Sequence, residues 1–106
     1  MTDQLPLDLG PRSKTIQQKF AEFHTANPWV YVELVKLARR AKGRGARKVG
    51  IGMLTEIVRW RRYIATQDFN SGFKINNNYR SRYVRMIEER EPDLRGLFET
   101  RELKAP

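Results

Sequence analysis

The chain has 106 residues, 21 of them Lys or Arg against 12 Asp or Glu, for a formal net charge of +9, and its length fits one domain. With no cysteine and one histidine, disulfides, thiolate nucleophiles, Cys-ligated zinc or iron–sulfur centres and multi-histidine metal sites are excluded, and a Ser-His-Asp triad has only His24 to draw on. No apolar run approaches the roughly 20 residues of a membrane span, and the first residues lack the basic-then-apolar order of a secretory signal, so a cytoplasmic protein without a membrane partner is expected.

Residues 1–13, with two prolines and a glycine but no apolar period, read as a flexible tail ahead of a domain over 14–104. A first helix is predicted from Thr15 to Thr25, where Thr15 and Gln18 have capping-box spacing and Ile16, Phe20 and Phe23 repeat at helical spacing. Asn27-Pro28 reads as an N-cap and first helical residue, opening a second helix to Ala41 that turns Tyr31, Leu34, Val35 and Ala38 inward. Gly43 and Gly45 end it. Val49 and Ile51 alternate with Lys48 and Gly50 as in a very short strand. A third helix follows from Gly52 to Ala65, with Met53, Ile57, Trp60 and Ile64 as its inward stripe, broadened by Leu54 and Val58. Residues 66–75 read as a hairpin closed at Asn70-Ser71-Gly72. Asn76, Asn77 and Asn78 offer N-caps for a fourth helix from Tyr79 to Glu91, which Pro92 stops. A last turn brings Leu94, Leu97 and Phe98 to the core, where Phe20, Phe23, Trp29, Trp60, Tyr79 and Tyr83 are also expected.

That order of helix, helix, short extended piece, helix, hairpin and helix predicts a mostly helical α+β domain of winged-helix or helix-turn-helix type. The charge is concentrated: residues 36–62 hold ten basic side chains and only Glu56 as an acid, so the whole net charge lies there. Such a field draws polyanions, and phosphate neutralisation would supply most of the affinity for nucleic acid. Duplex DNA is the expected partner. In a winged helix Arg59 and Arg62 of the third helix would meet the major groove, while Lys42, Arg44, Arg47 and Lys48 track phosphates. Wing residues Asn70, Ser71 and Lys74 would touch sugar and phosphate. A second surface is the start of the fourth helix, where Asn77, Arg80 and Arg82 gather amide and guanidinium groups at a helix N-terminus. RNA is a weaker candidate, because the aromatics are assigned to the core and no RNP-type motif is present.

The run Phe73-Lys74-Ile75-Asn76-Asn77-Asn78-Tyr79-Arg80-Ser81-Arg82-Tyr83-Val84-Arg85, with Pro92-Asp93-Leu94 and Phe98-Glu99-Thr100-Arg101-Glu102-Leu103 behind it, resembles a family of small proteins encoded by bacteriophages and prophages. The similarity covers about residues 16–104. It implies a phage or prophage origin in a bacterial host and, through the loose helix-turn-helix label some members carry, DNA binding. It carries over no catalytic residue.

One catalytic pattern stands against this reading. Pro92-Asp93 and Glu102-Leu103-Lys104 fit the PD…ExK order of magnesium-dependent nucleases, but that chemistry needs the acids on neighbouring strands, and here Pro-Asp follows a helix. No GxxxxGK[ST] run supports a phosphate loop. The expectation is therefore a protein that is not an enzyme and takes no cofactor. It would regulate or organise DNA as a monomer or homodimer. The rival is a small phage protein that inhibits a host protein by docking on an acidic surface.

Overall fold

The computed structural model describes residues 14–70 and 72–99. Four helices carry the architecture: α1 (Ile16–Ala26), α2 (Pro28–Gly43), α3 (Ile51–Thr66) and α4 (Arg80–Arg90). Single 3-10 turns, Asn77–Tyr79 and Pro92–Leu94, bracket α4. The predicted tail over 1–13 lies outside the described residues.

Local chemistry explains the helix ends. The Thr15 hydroxyl accepts from the Gln18 N–H at 3.1 Å, and the Gln18 side chain accepts from the Thr15 N–H at 2.8 Å, closing the expected capping box. Asn27 stands at the N-cap of α2, yet its amide turns back and donates to the Phe23 carbonyl at 3.0 Å. Pro28, whose missing N–H costs nothing at a helix start, then opens α2. Gly43 stays inside the helix, and Gly45 is the terminator. At φ +100° it adopts a conformation that side chains disfavour, and the Gly45 and Ala46 N–H groups return to the Lys42 and Ala41 carbonyls at 3.0 Å each.

Helix α2 is the central element and packs on α1, α3 and α4. Its Val30, Leu34 and Ala38 are wholly buried, meeting Phe20 of α1, Leu54 and Val58 of α3, and Tyr83 and Ile87 of α4. Leu94, Leu97 and Phe98 close the core from the C-terminal side, as expected. Tyr79 and Tyr83 are core residues too, with Phe20 edge-on to Tyr83 at 4.8 Å between ring centroids. His24 sits against Phe20, Tyr31 and Tyr83, and burial followed by the nearby Arg90 charge lowers its pKa.

Two sequence expectations are overturned. The first is the wing. Among the described residues there is no strand and no hairpin, so the domain is helical rather than α+β and is not a winged helix. Among the described residues of 66–75 no two segments pair as strands. Instead Phe73 packs against Trp29 and Phe23, Ile75 is buried, and the Tyr63 hydroxyl donates to the Phe73 carbonyl at 3.1 Å, a group a ladder would have used. Of the short strand, only a parallel bridge between Val49 and Phe98 forms. The second correction concerns α3. Leu54, Thr55 and Val58 are its buried residues, while Met53, Trp60 and Ile64 of the predicted inward stripe are more than half or half exposed. Both sets repeat at helical spacing, and periodicity alone does not say which one meets the core.

Candidate nucleic-acid interface

The Gly45 terminator throws the chain into a basic loop, Arg44 to Lys48. Its lysines and arginines have different duties. Lys42, just before the loop, donates to the Asp93 carbonyl, and Lys48 donates to the Gly96 carbonyl at 2.8 Å, so both ammonium groups staple the loop to the C-terminal turn. Each still has donors to spare. Arg44 and Arg47 are exposed and have no side-chain partner among the described residues. Arg39, one turn earlier, is committed to structure: it grips Asp93 through two nitrogens, at 2.9 and 3.0 Å, and Glu91 at 2.6 Å. That pairing holds the Asp93 and Glu91 carboxyls below their ordinary range.

The predicted reading helix is differently arranged from what its sequence suggested. The Arg59 guanidinium is bracketed by Glu56 at 3.0 Å and the Tyr63 hydroxyl at 3.3 Å, and the Tyr63 bond heads the causes that raise its pKa. The Arg62 guanidinium lies over the Phe73 ring, 4.5 Å from its centroid. The face α3 turns to solvent is apolar, with Phe69 leaning on Trp60 at 6.3 Å. Apart from the Trp60 indole N–H, such a face offers no side-chain donor to base edges.

The second predicted surface is assembled. Asn76 caps the 3-10 turn by accepting from the Asn78 N–H at 2.7 Å, which leaves the exposed Asn77 amide with no partner among the described residues. Arg82 is positioned by Gln17 at 3.0 Å and by the Asn78 carbonyl at 3.1 Å. Arg80 lies flat against Gly52, where a Cβ would come within 3.1 Å of its guanidinium, and reaches Glu56 at 3.4 Å. Its place is thus beside the start of α3, whose N-cap, Gly50, supplies no side-chain bond.

These groups share one groove of about 620 Å³ between the start of α3 and α4. Ile51 and Val84 give it apolar walls; Asn77, Asn78, Arg80, Ser81, Arg82 and Arg85 give it donors; Glu88 and Glu99 also line it. Arg85 was not singled out from sequence, although its helical spacing from Arg82 already placed the two on one face. The basic loop runs into this groove, because Val49 pairs through its backbone with Leu97 and Glu99 and Ile51 is part of the lining. Lys74 is exposed on the segment before the asparagines, and Asn70 is exposed as well. Ser71, Glu102 and Lys104 lie outside the described residues. Asp93 of the nuclease-like pattern is taken up by Arg39, and among the described residues no cluster of His, Asp and Glu could hold a metal ion.

No family model, curated protein or solved structure matches the chain. Among the described residues no helix is long and apolar enough to cross a membrane.

Proposed function

We propose that the protein binds duplex DNA without catalysing a reaction, as a phage or prophage regulator or DNA-organising factor. Docking runs through the α3–α4 groove and the adjoining basic loop, with α3 itself outside the major groove. The observation that carries this reading is the convergence of Asn77, Arg80, Arg82 and Arg85 on one groove. Guanidinium groups fixed in direction by neighbours suit phosphate oxygens, since less freedom is lost when they bind. Arg44 and Arg47, exposed and without a side-chain partner among the described residues, extend the same positive field along the backbone of a long polyanion.

Substitution of single arginines tests it. Arg82→Ala and Arg85→Ala should weaken binding to all duplex sequences alike, each lowering the salt slope by about 1. Arg59→Ala should leave affinity within about twofold, because that side chain is held by Glu56 and Tyr63. A large loss for Arg59→Ala with none for Arg82→Ala or Arg85→Ala would move the interface back to α3 and defeat this assignment.

A further inference from the structure

We infer that the protein forms a two-fold symmetric dimer in which α3 pairs with α3 of a second copy. Met53, Ile57, Trp60 and Ile64 repeat at intervals of four, three and four residues, the spacing of a helix-pairing seam. Met53, Trp60 and Ile64 are 56%, 58% and 50% exposed, with Ile57 half-buried between them. This stripe is not core that failed to close. The core is already met by Leu54 and Val58, whose mean direction lies about 110° around the same helix from that of the stripe. Phe69, 54% exposed, widens the patch by packing on Trp60 and Tyr63.

Area and charge point to a second copy as the occupant. Side chains of this size, half exposed, present on the order of 500 Å² of apolar surface, at the upper end for a monomer. Two such patches together reach about 1,000 Å², the lower bound for a specific interface. The flanks of the stripe are complementary to themselves. Glu56 and Arg61 stand five positions apart on opposite edges, so parallel pairing sets Glu56 of each copy against Arg61 of the other, twice by symmetry. Each is about half exposed, Glu56 lying between Arg59 at 3.0 Å and Arg80 at 3.4 Å and Arg61 meeting Glu33 at 3.4 Å, so pairing across the seam exchanges weak exposed ion pairs for others. A small apolar seam with a charged rim makes a reversible dimer of micromolar strength.

Sedimentation equilibrium of the full chain without nucleic acid, from about 1 to 300 µM, reads this separately from any DNA affinity. The wild-type protein is expected to pass from monomer to dimer across that range. Trp60→Asp and Ile64→Asp should each weaken dimerisation at least tenfold with unchanged helicity by circular dichroism, since both positions face solvent in the single chain. Arg61→Glu should also weaken it. A wild-type chain that stays monomeric throughout overturns the inference, leaving the face to another part of the chain or to a different partner. A dimer that persists undiminished in both aspartate variants overturns it equally.

Discussion

Tyr83 has no exposed surface, and its hydroxyl finds no hydrogen-bond partner among the described residues. Burial, followed by the neighbouring Tyr79, drives its pKa upward. A buried donor without a partner costs on the order of 1–3 kcal/mol, so Tyr83→Phe should raise the unfolding free energy by about 1 kcal/mol in urea denaturation. Arg39 is the opposite case, an exposed side chain that ties α2 to the turn after α4. Its two carboxylate partners titrate below their ordinary values of 4.5 for Glu91 and 3.8 for Asp93. The unfolded chain therefore binds protons first as the solution is acidified. The stability these pairs contribute is full above about pH 5 and is lost as pH falls through the carboxylate range. His24, lowered from 6.5 by burial, adds loss in the same direction at milder acidity. At the alkaline end the sign reverses: burial and the bond to Glu91 push Tyr31 up to about 12, so the unfolded chain ionises first above pH 10. Thermal unfolding from pH 3 to 7 should show the acid-side fall in wild type and a flatter profile for Arg39→Ala. Parallel profiles would assign the acid loss to other groups.

At the scale of elements, Trp60 and the hairpin show where sequence reading stops. The starts of α1 and α2, and the end of α2 at Gly45, follow from short-range chemistry: a capping box, a proline at the first turn and a glycine at positive φ. Those devices act between residues a few positions apart, so the sequence displays them. The assignment of Tyr79 and Tyr83 to the core followed from their position on an amphipathic helix and holds in the structure. Helix α3 has two apolar faces at valid helical spacing, and only its partners decide that Leu54 and Val58 go inward while Trp60 goes out. The hairpin fails for a similar reason. Asn70-Ser71-Gly72 is good turn chemistry, but Phe73 and Ile75 are drawn to the core and to Trp29, leaving no second strand for residues 66–69 to pair with. The proposed docking gives Arg59 and Arg62 no base-reading part, since the wing is absent among the described residues, Arg59 is bonded to Glu56 and Tyr63, and Arg62 lies over Phe73. The start of α4 keeps its donors, because Arg82 and Arg85 share one face by their three-residue spacing and the Asn-rich cap and Arg80 stand at the same helix end.

For the whole molecule, the +9 charge concentrated in residues 36–62 is partly spent on internal pairing, with Arg39, Arg59 and Arg61 all bonded to carboxylates. What is left of it for a polyanion lies mainly in the exposed loop, and the groove beside it adds Arg80, Arg82 and Arg85 from outside that segment. That arrangement favours contacts to phosphate over contacts to bases, and so an affinity that depends strongly on salt and weakly on sequence. An α3–α3 dimer would place two such surfaces on one particle and lengthen the DNA it spans. The most direct test is titration of a labelled random duplex with the protein at a series of salt concentrations from about 50 to 200 mM. Six or more phosphate contacts predict a fall in affinity of roughly a thousandfold across that range, with little difference between duplex sequences. Binding that is absent at the lowest salt, or that barely changes across the series, would contradict the account.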